Sequence, residues 1–242
     1  MTGGPRAPAG FYDAAYRRAG GREARWRELG AVGKADHVER LLPSRPARLV
    51  EIGCGDGALL AELGRRGAAA ALAGFDVSEE AVRAARARGL EAIDAFDGHR
   101  LPVPDDAFDV ALLSHVLEHV TQPAELLREA ARVAPAVIVE VPLEASLSGR
   151  RASRRARSAG IGHVQVLDRA GARAIVEDAG LRVTDELMDP LPAAVHLFFA
   201  ETAAERLAAR AKGALRQLAF AASPALAARL FTVHYACVCT RS

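Results

Sequence analysis

A doubly wound α/β fold is what this sequence predicts, and three observations predict it. Short apolar runs of strand type alternate with helix-length amphipathic segments from residue 48 to residue 188. The first run, Leu49-Val50-Glu51-Ile52, passes directly into Gly53-Cys54-Gly55-Asp56-Gly57 and then into a helical pattern. A strand, a glycine turn and a helix N-terminus build a small-molecule site at the carboxyl edge of a parallel sheet. The second run ends in Asp76, 19 positions beyond Gly57, where a carboxylate can accept from both hydroxyls of a ribose.

Bulk properties narrow the function. A chain of 242 residues, half of them hydrophobic, has enough apolar side chains for one sizeable core. The net charge of +2 makes neither nucleic acid nor an anionic membrane a default partner. Of the three cysteines, Cys54 sits in the glycine turn while Cys237 and Cys239 share one face of a terminal strand, so no disulfide framework is legible and a reducing cytoplasm is the expected location. Met1 to Gly10 is Gly- and Pro-containing, reads as a disordered tail and lacks the apolar centre of a signal peptide. No run approaches the ~20 apolar residues of a membrane span.

Taken in order, Phe11 to Tyr16 reads as a short helix carrying aromatics at 11, 12 and 16. Arg22 to Leu42 is helical, with Trp26, Leu29, Val38, Leu41 and Leu42 inward and a break expected at Gly30 and Gly33. After the strand Arg48 to Ile52, a helix spans Ala58 to Arg66 and the second strand Ala71 to Asp76. Ser78 caps a helix through Arg88, with Glu79 and Glu80 in its first turn. Leu90 to Asp94 is a third strand and Phe108 to Ser114 a fourth. Pro123 to Val133 is a helix, Ala136 to Val141 a strand, Asp168 caps a helix to Ala179, and Leu181 to Met188 is strand six. Leu191 to Phe231 exceeds a plain turn: Glu201 to Leu218 is an amphipathic helix with Leu207, Ala211, Leu215 and Leu218 on one face, and Ser223-Pro224 starts another to Leu230. Phe231 to Cys239 alternates as a closing strand.

Gly53-x-Gly55-x-x-Ala58 also satisfies the dinucleotide fingerprint, but Glu51 and Asp56 beside the turn favour a ligand carrying an ammonium or sulfonium charge over a diphosphate. Glu51 to Gly57 resembles motif I, E/D-x-G-x-G-x-G, of the class I S-adenosylmethionine-dependent methyltransferases. Three further stretches resemble the same family in the same order: Asp97 to Val110, Ser114 to Val120 (Ser-His-Val-Leu-Glu-His-Val), and Gly162-His163-Val164. The resemblance spans about Arg48 to Val183. It implies a Rossmann-like seven-stranded sheet with strand seven antiparallel, and S-adenosylmethionine as cofactor with no metal. It also implies cofactor contacts from Glu51, Gly53, Gly55, Gly57, Asp76, Val77, Asp97, Gly98, Ser114 and His115. Asp97 would face the adenine amino group, since a carboxylate accepts from an exocyclic N–H while the Gly98 N–H gives to a ring nitrogen.

His115-x-x-Glu118-His119 also matches an inverted zinc-peptidase pattern, but it follows a buried strand directly and Pro123 soon follows, so the methyltransferase match is preferred. His163, with His119 second, is the candidate proton acceptor, because imidazole titrates near neutrality and both lie on loops at the ligand edge. Tyr12 and Tyr16 are candidate lid residues. The arginine run Arg150 to Arg157 is read either as a clamp for an anionic substrate group or as a solvated loop. The expected organisation is a tail and helical lid over 1–45, a cofactor-binding core over 46–190, a helical insertion or cap over 191–230, and a final strand over 231–242. The expected function is methyl transfer to O, N or C of a small-molecule metabolite, with a homodimer among the partners to test. Two rival readings are a non-catalytic cofactor-binding subunit and a dinucleotide-dependent oxidoreductase.

Overall fold

The computed structural model describes residues 9–42 and 44–241; Met1 to Pro8, most of the expected tail, lie outside the described residues. Seven strands, β1 (Arg48–Ile52), β2 (Ala71–Asp76), β3 (Ile93–Ala95), β4 (Val110–Ser114), β5 (Ala136–Leu143), β6 (Leu181–Asp189) and β7 (Val233–Arg241), form one sheet in the order β3-β2-β1-β4-β5-β7-β6. Pairing is parallel from β3 through β5, while β7 runs antiparallel to both β5 and β6. From β1 the chain first builds outward to β2 and β3 and then returns to lay β4 on the other side. That reversal opens a crevice at the carboxyl ends of β1 and β4.

The sequence explains most element boundaries. β1 and β4 are continuous apolar runs because both of their faces are covered; Leu49, Val50 and Ile52, and Ala111, Leu112 and Leu113, are fully buried. Helix α3 (Ala58–Arg66) ends on Gly67 in the left-handed region, and α4 (Glu79–Ala87) starts on Ser78, whose hydroxyl accepts from the Ala81 N–H. Pro123 opens α5 (Pro123–Val133), and Asp168 caps α7 (Arg169–Asp178) by accepting from the Gly171 N–H. Helices α2 (Gly21–Leu41), α3 and α4 pack on one face of the sheet and α5 and α7 on the other.

Four local expectations are corrected. The third strand is only Ile93–Ala95, paired with Gly74 to Asp76 of β2, and Leu90 to Ala92 lead into it. Helix α2 runs unbroken through Gly30 and Gly33; the burial of Ala31, Ala35, Val38 and Leu41 outweighs the ~1 kcal/mol that each helical glycine costs. Arg151 caps a helix, α6 (Ala152–Gly160), so the arginine run is ordered rather than a loop. The fourth concerns α9 (Ala203–Ala222). Its leucine stripe faces solvent, with Leu207, Leu215 and Leu218 each more than 60% exposed. The packed side carries Gly213, Arg216 and Phe220.

Close approach decides that rotation of α9. Gly213 comes against Ala193 of α8 (Ala193–Leu197), and Arg216 donates to the Thr232 carbonyl and lies over the Phe231 ring. Helix α8 in turn leads into Phe198 and Phe199, which pack on Trp26 of α2 with centroids 5.2 and 4.8 Å apart. Leu207→Glu and Leu215→Glu should therefore change monomer stability by no more than about 0.5 kcal/mol, whereas Arg216→Ala should cost about 1–3 kcal/mol, measured by urea unfolding. A large loss from the leucine variants would show that α9 packs the other way.

Candidate functional site

The glycine turn after β1 is shaped by what presses on it. Gly53 has φ +78°, and a Cβ there would stand 2.6 Å from a Val116 methyl; Gly55 has φ +55°, and a Cβ would overlap the Tyr16 hydroxyl. Both positions need glycine for conformation and for space. The Gly53 and Cys54 N–H groups donate to the Phe75 carbonyl at 2.7 and 3.1 Å, tying the turn to the end of β2.

Asp76, at that end, is 8% exposed. Its Oδ2 accepts from the Gly55 N–H at 2.8 Å and its Oδ1 from the Ser78 N–H at 2.9 Å. Burial pushes its carboxyl up, and these backbone donors pull it back. Each oxygen keeps a further lone pair for a ligand hydroxyl. Asp76, Gly53, Gly55 and Val77 line a cleft of about 180 Å³ together with Gly98, His115 and His119, between Tyr12 and Tyr16 on one side and Ile52, Phe96 and Val120 on the other. That volume is below the roughly 300–1,000 Å³ of ordinary ligand sites. Helix α1 (Ala9–Arg18) carries both tyrosines.

Other expected residues fall nearby with different surroundings. Asp97 is exposed at the rim between lining residues Phe96 and Gly98, and its Oδ1 accepts from the His99 and Arg100 N–H groups at 2.7 and 2.9 Å. Glu51 is buried beneath the turn, where burial pushes its carboxyl up to about 8 and its Oε2 makes no hydrogen bond. Gly57, with φ +71°, caps α3 below the cleft. Asp56 overturns part of the charge argument made from sequence. It is paired with Arg27 at 2.9 Å and Arg88 at 2.8 Å, so its charge is spent within the protein and does not face the ligand.

The other end of the cleft is built from imidazoles. His115 follows β4 with φ +58°, uncommon for a side-chain-bearing residue, and its N–H donates to the Glu140 carbonyl at 2.9 Å. Ser114 points away from the cleft, its hydroxyl donating to Glu140 Oε2 at 3.0 Å. Leu117–His119 form one 3₁₀ turn, and the Glu118 carbonyl accepts from the Val164 and Gln165 N–H groups at 2.8 and 3.0 Å. This clamp brings the loop after α6 against the turn, so His119 and His163 meet edge to face with centroids 4.7 Å apart. Only His119 lines the cleft. His163 stands behind it, its Nδ1 2.9 Å from Glu144 Oε2. Burial and the neighbouring His163 push the His119 imidazole below its usual value, against the pull of Glu118. Glu144 was not singled out from the sequence; its place two residues past Pro142, at the end of β5, was the available signal.

The buried Asp76 beside a glycine turn has lone pairs that fit a nucleoside's hydroxyls, and the reversed last strand completes the sheet: fold and cleft define a class I S-adenosylmethionine-dependent methyltransferase. The chain belongs to the methyltransferase-domain family, whose profile matches residues 23–186. Among curated proteins it is similar to the ubiquinone biosynthesis O-methyltransferase of Ralstonia nicotianae, 33% identical over 104 residues, covering 40% of this chain and 43% of that protein. A 97-residue stretch is 40% identical to the trans-aconitate 2-methyltransferase of Mycolicibacterium gilvum, covering 39% of this chain and 37% of that one. The aligned part thus spans less than half the length of these relatives. Among solved structures, a SAM-dependent methyltransferase from Thermotoga maritima superposes with a TM-score of 0.65 at 18% identity, over 96% of this chain and all of that one, a likeness of fold.

Proposed function

We propose that this protein transfers the methyl group of S-adenosylmethionine to O, N or C of a small-molecule acceptor, with His119 receiving the acceptor's proton. The observation that carries the reading is the cleft's two-ended chemistry: a carboxylate able to accept hydroxyls, Asp76, at one end and a half-buried imidazole pair at the other. The sulfonium methyl is already electrophilic, so the chain's residues have to align the nucleophile, keep water out and take one proton. Tyr12 and Tyr16 exclude water from above. His163 acts through His119: Glu144 holds its ring, and the ring fixes His119. The order differs from the one expected from sequence, where His163 stood first.

An anionic group on the acceptor is favoured by Arg150, Arg151, Arg154, Arg155 and Arg157, which have no ion-pair partner among the described residues and lead directly into Gly162-His163. No helix among the described residues is long and apolar enough to cross a membrane.

Calorimetry with S-adenosylhomocysteine and with NAD, followed by a methyl-transfer screen over phenolic, amine and carboxylate acceptors, tests the proposal. Nucleoside binding without transfer to any acceptor would favour a regulatory subunit, and NAD binding would favour an oxidoreductase. The rate should also report the base. Neutral imidazole is the active form, so kcat should rise with pH and level off, with its midpoint below the usual imidazole value of 6.5. A midpoint at or above that value would remove His119 from the role.

A further inference from the structure

A second cluster lies behind His115, away from the residues assigned to proton transfer. Glu140 of β5, 1% exposed, is approached by imidazoles from three separate elements. His37 of α2 places Nδ1 3.1 Å from Glu140 Oε1, His234 of β7 places Nδ1 3.0 Å from the same oxygen, and His115 places Nε2 3.7 Å from it. The Nδ1 atoms of His37 and His234 and the Glu140 oxygen all lie within 4.8 Å of one another.

A purely hydrogen-bonded knot accounts for only part of this. One carboxylate oxygen has two lone pairs, which two imidazole N–H groups fill. The third imidazole is shared: His115 Nδ1 stands 3.1 Å from Glu118 Oε1, while its Nε2 is buried and makes no hydrogen bond. Behind His37, Asp189 Oδ2 stands 3.5 Å from Nε2, and the Ser114 hydroxyl donates to the far Glu140 oxygen at 3.0 Å. A carboxylate behind a ligating histidine and a hydroxyl on a ligating carboxylate are the supports that metal ligands receive. The two imidazole-to-carboxylate separations, 3.1 and 3.0 Å, are close to the edge of about 3.3 Å that a tetrahedron with bonds of about 2.0–2.1 Å has.

We propose that His37, His234 and Glu140 bind one divalent transition ion of the zinc class, with a fourth position left for water. Nitrogen-rich sets with one carboxylate suit such ions and not magnesium or calcium. The site joins α2, β5 and β7, and it is independent of the proton-transfer assignment. It departs from the metal-free expectation of the family resemblance. The His-x-x-Glu-His pattern of the sequence is not itself this site: His115 lies between Glu118 and Glu140, and His119 packs on His163. A rival trio, Glu118, His119 and His163, also comes within ligand range. It is the weaker one, because Glu144 already holds His163 and His115 Nδ1 already stands 3.1 Å from Glu118 Oε1.

The test uses the full chain, stripped with a chelator and titrated with Co²⁺ and then Zn²⁺. The expected result is one equivalent of Co²⁺ with visible ligand-field absorption, displacement by Zn²⁺ and a raised Tm. His37→Gln and His234→Gln should abolish the absorption, Asp189→Asn should weaken binding about 10–100-fold, and His163→Gln should leave it unchanged. S-adenosylhomocysteine binding serves as the check that each variant is folded, and Asp189, only partly buried, keeps the test open if the histidine variants unfold. Failure of the unaltered protein to take up one equivalent would overturn the proposal. So would binding that survives His234→Gln or Asp189→Asn at full strength, or that His163→Gln removes.

Discussion

Replacing Asp76 by alanine is expected to weaken binding of S-adenosylhomocysteine by about 10²–10⁴-fold. Two hydrogen bonds from ribose hydroxyls to an ionised carboxylate contribute about 1.5–3 kcal/mol each, and about 1.4 kcal/mol is tenfold in affinity. The carboxylate also holds the Gly55 and Ser78 N–H groups, so the variant frees two backbone donors and loosens the glycine turn at the same time. Asp76→Asn separates the two contributions. Its amide oxygen can keep one backbone donor while losing the charge, so its loss should be intermediate. Calorimetry at constant pH reads both. An alanine variant that binds as tightly as the unaltered protein would remove Asp76 from the ribose site, and an asparagine variant as weak as alanine would show that charge decides everything.

The second large effect is in rate. His119→Ala should lower kcat at saturating cofactor by about 10²–10⁴-fold, the usual loss on removing a general base, with cofactor affinity changed far less. His163→Ala should cost less, because the imidazole lining the cleft remains and only its backing is lost. The pair should be non-additive: once His119 is gone, removing His163 should have little further effect, since interacting side chains do not contribute independently. The informative comparison is Glu144→Gln. It should resemble His163→Ala in kcat and displace the midpoint of the pH profile, while leaving the KM for the cofactor alone. A loss under about tenfold in both histidine variants would mean that alignment suffices and no base acts.

Much of this molecule was legible in the chain. β1, α3, β2 and α5 begin and end where the sequence placed them, because their limits are set locally by a glycine turn, an N-cap, a left-handed glycine or a proline. Tyr12 and Tyr16 were read as lid residues from an aromatic helix ahead of the core, and both line the cleft. Asp76 was placed by its position at the end of a strand, a local property. Misreadings arose where a distant partner decides. Asp56 looked like a charge facing the ligand until Arg27 and Arg88, from elements far apart in sequence, were seen to neutralise it.

The same distinction holds for α9 and for the histidines. Periodicity identified the leucine stripe Leu207, Leu215, Leu218 and therefore which side of the helix is apolar, but the side that packs was set by Gly213 and Arg216 meeting Ala193 and Thr232. The sequence by itself determined the fold class and offered the candidate residues on the loops of the cleft, since strand alternation, glycine turns and caps are interactions between neighbours in the chain. Only the tertiary structure decided that His119 faces the cleft with His163 behind it, and that His37, His115 and His234 converge on Glu140. Those groupings join residues up to 197 positions apart, and a side chain's partner across such a distance is fixed by how the layers pack.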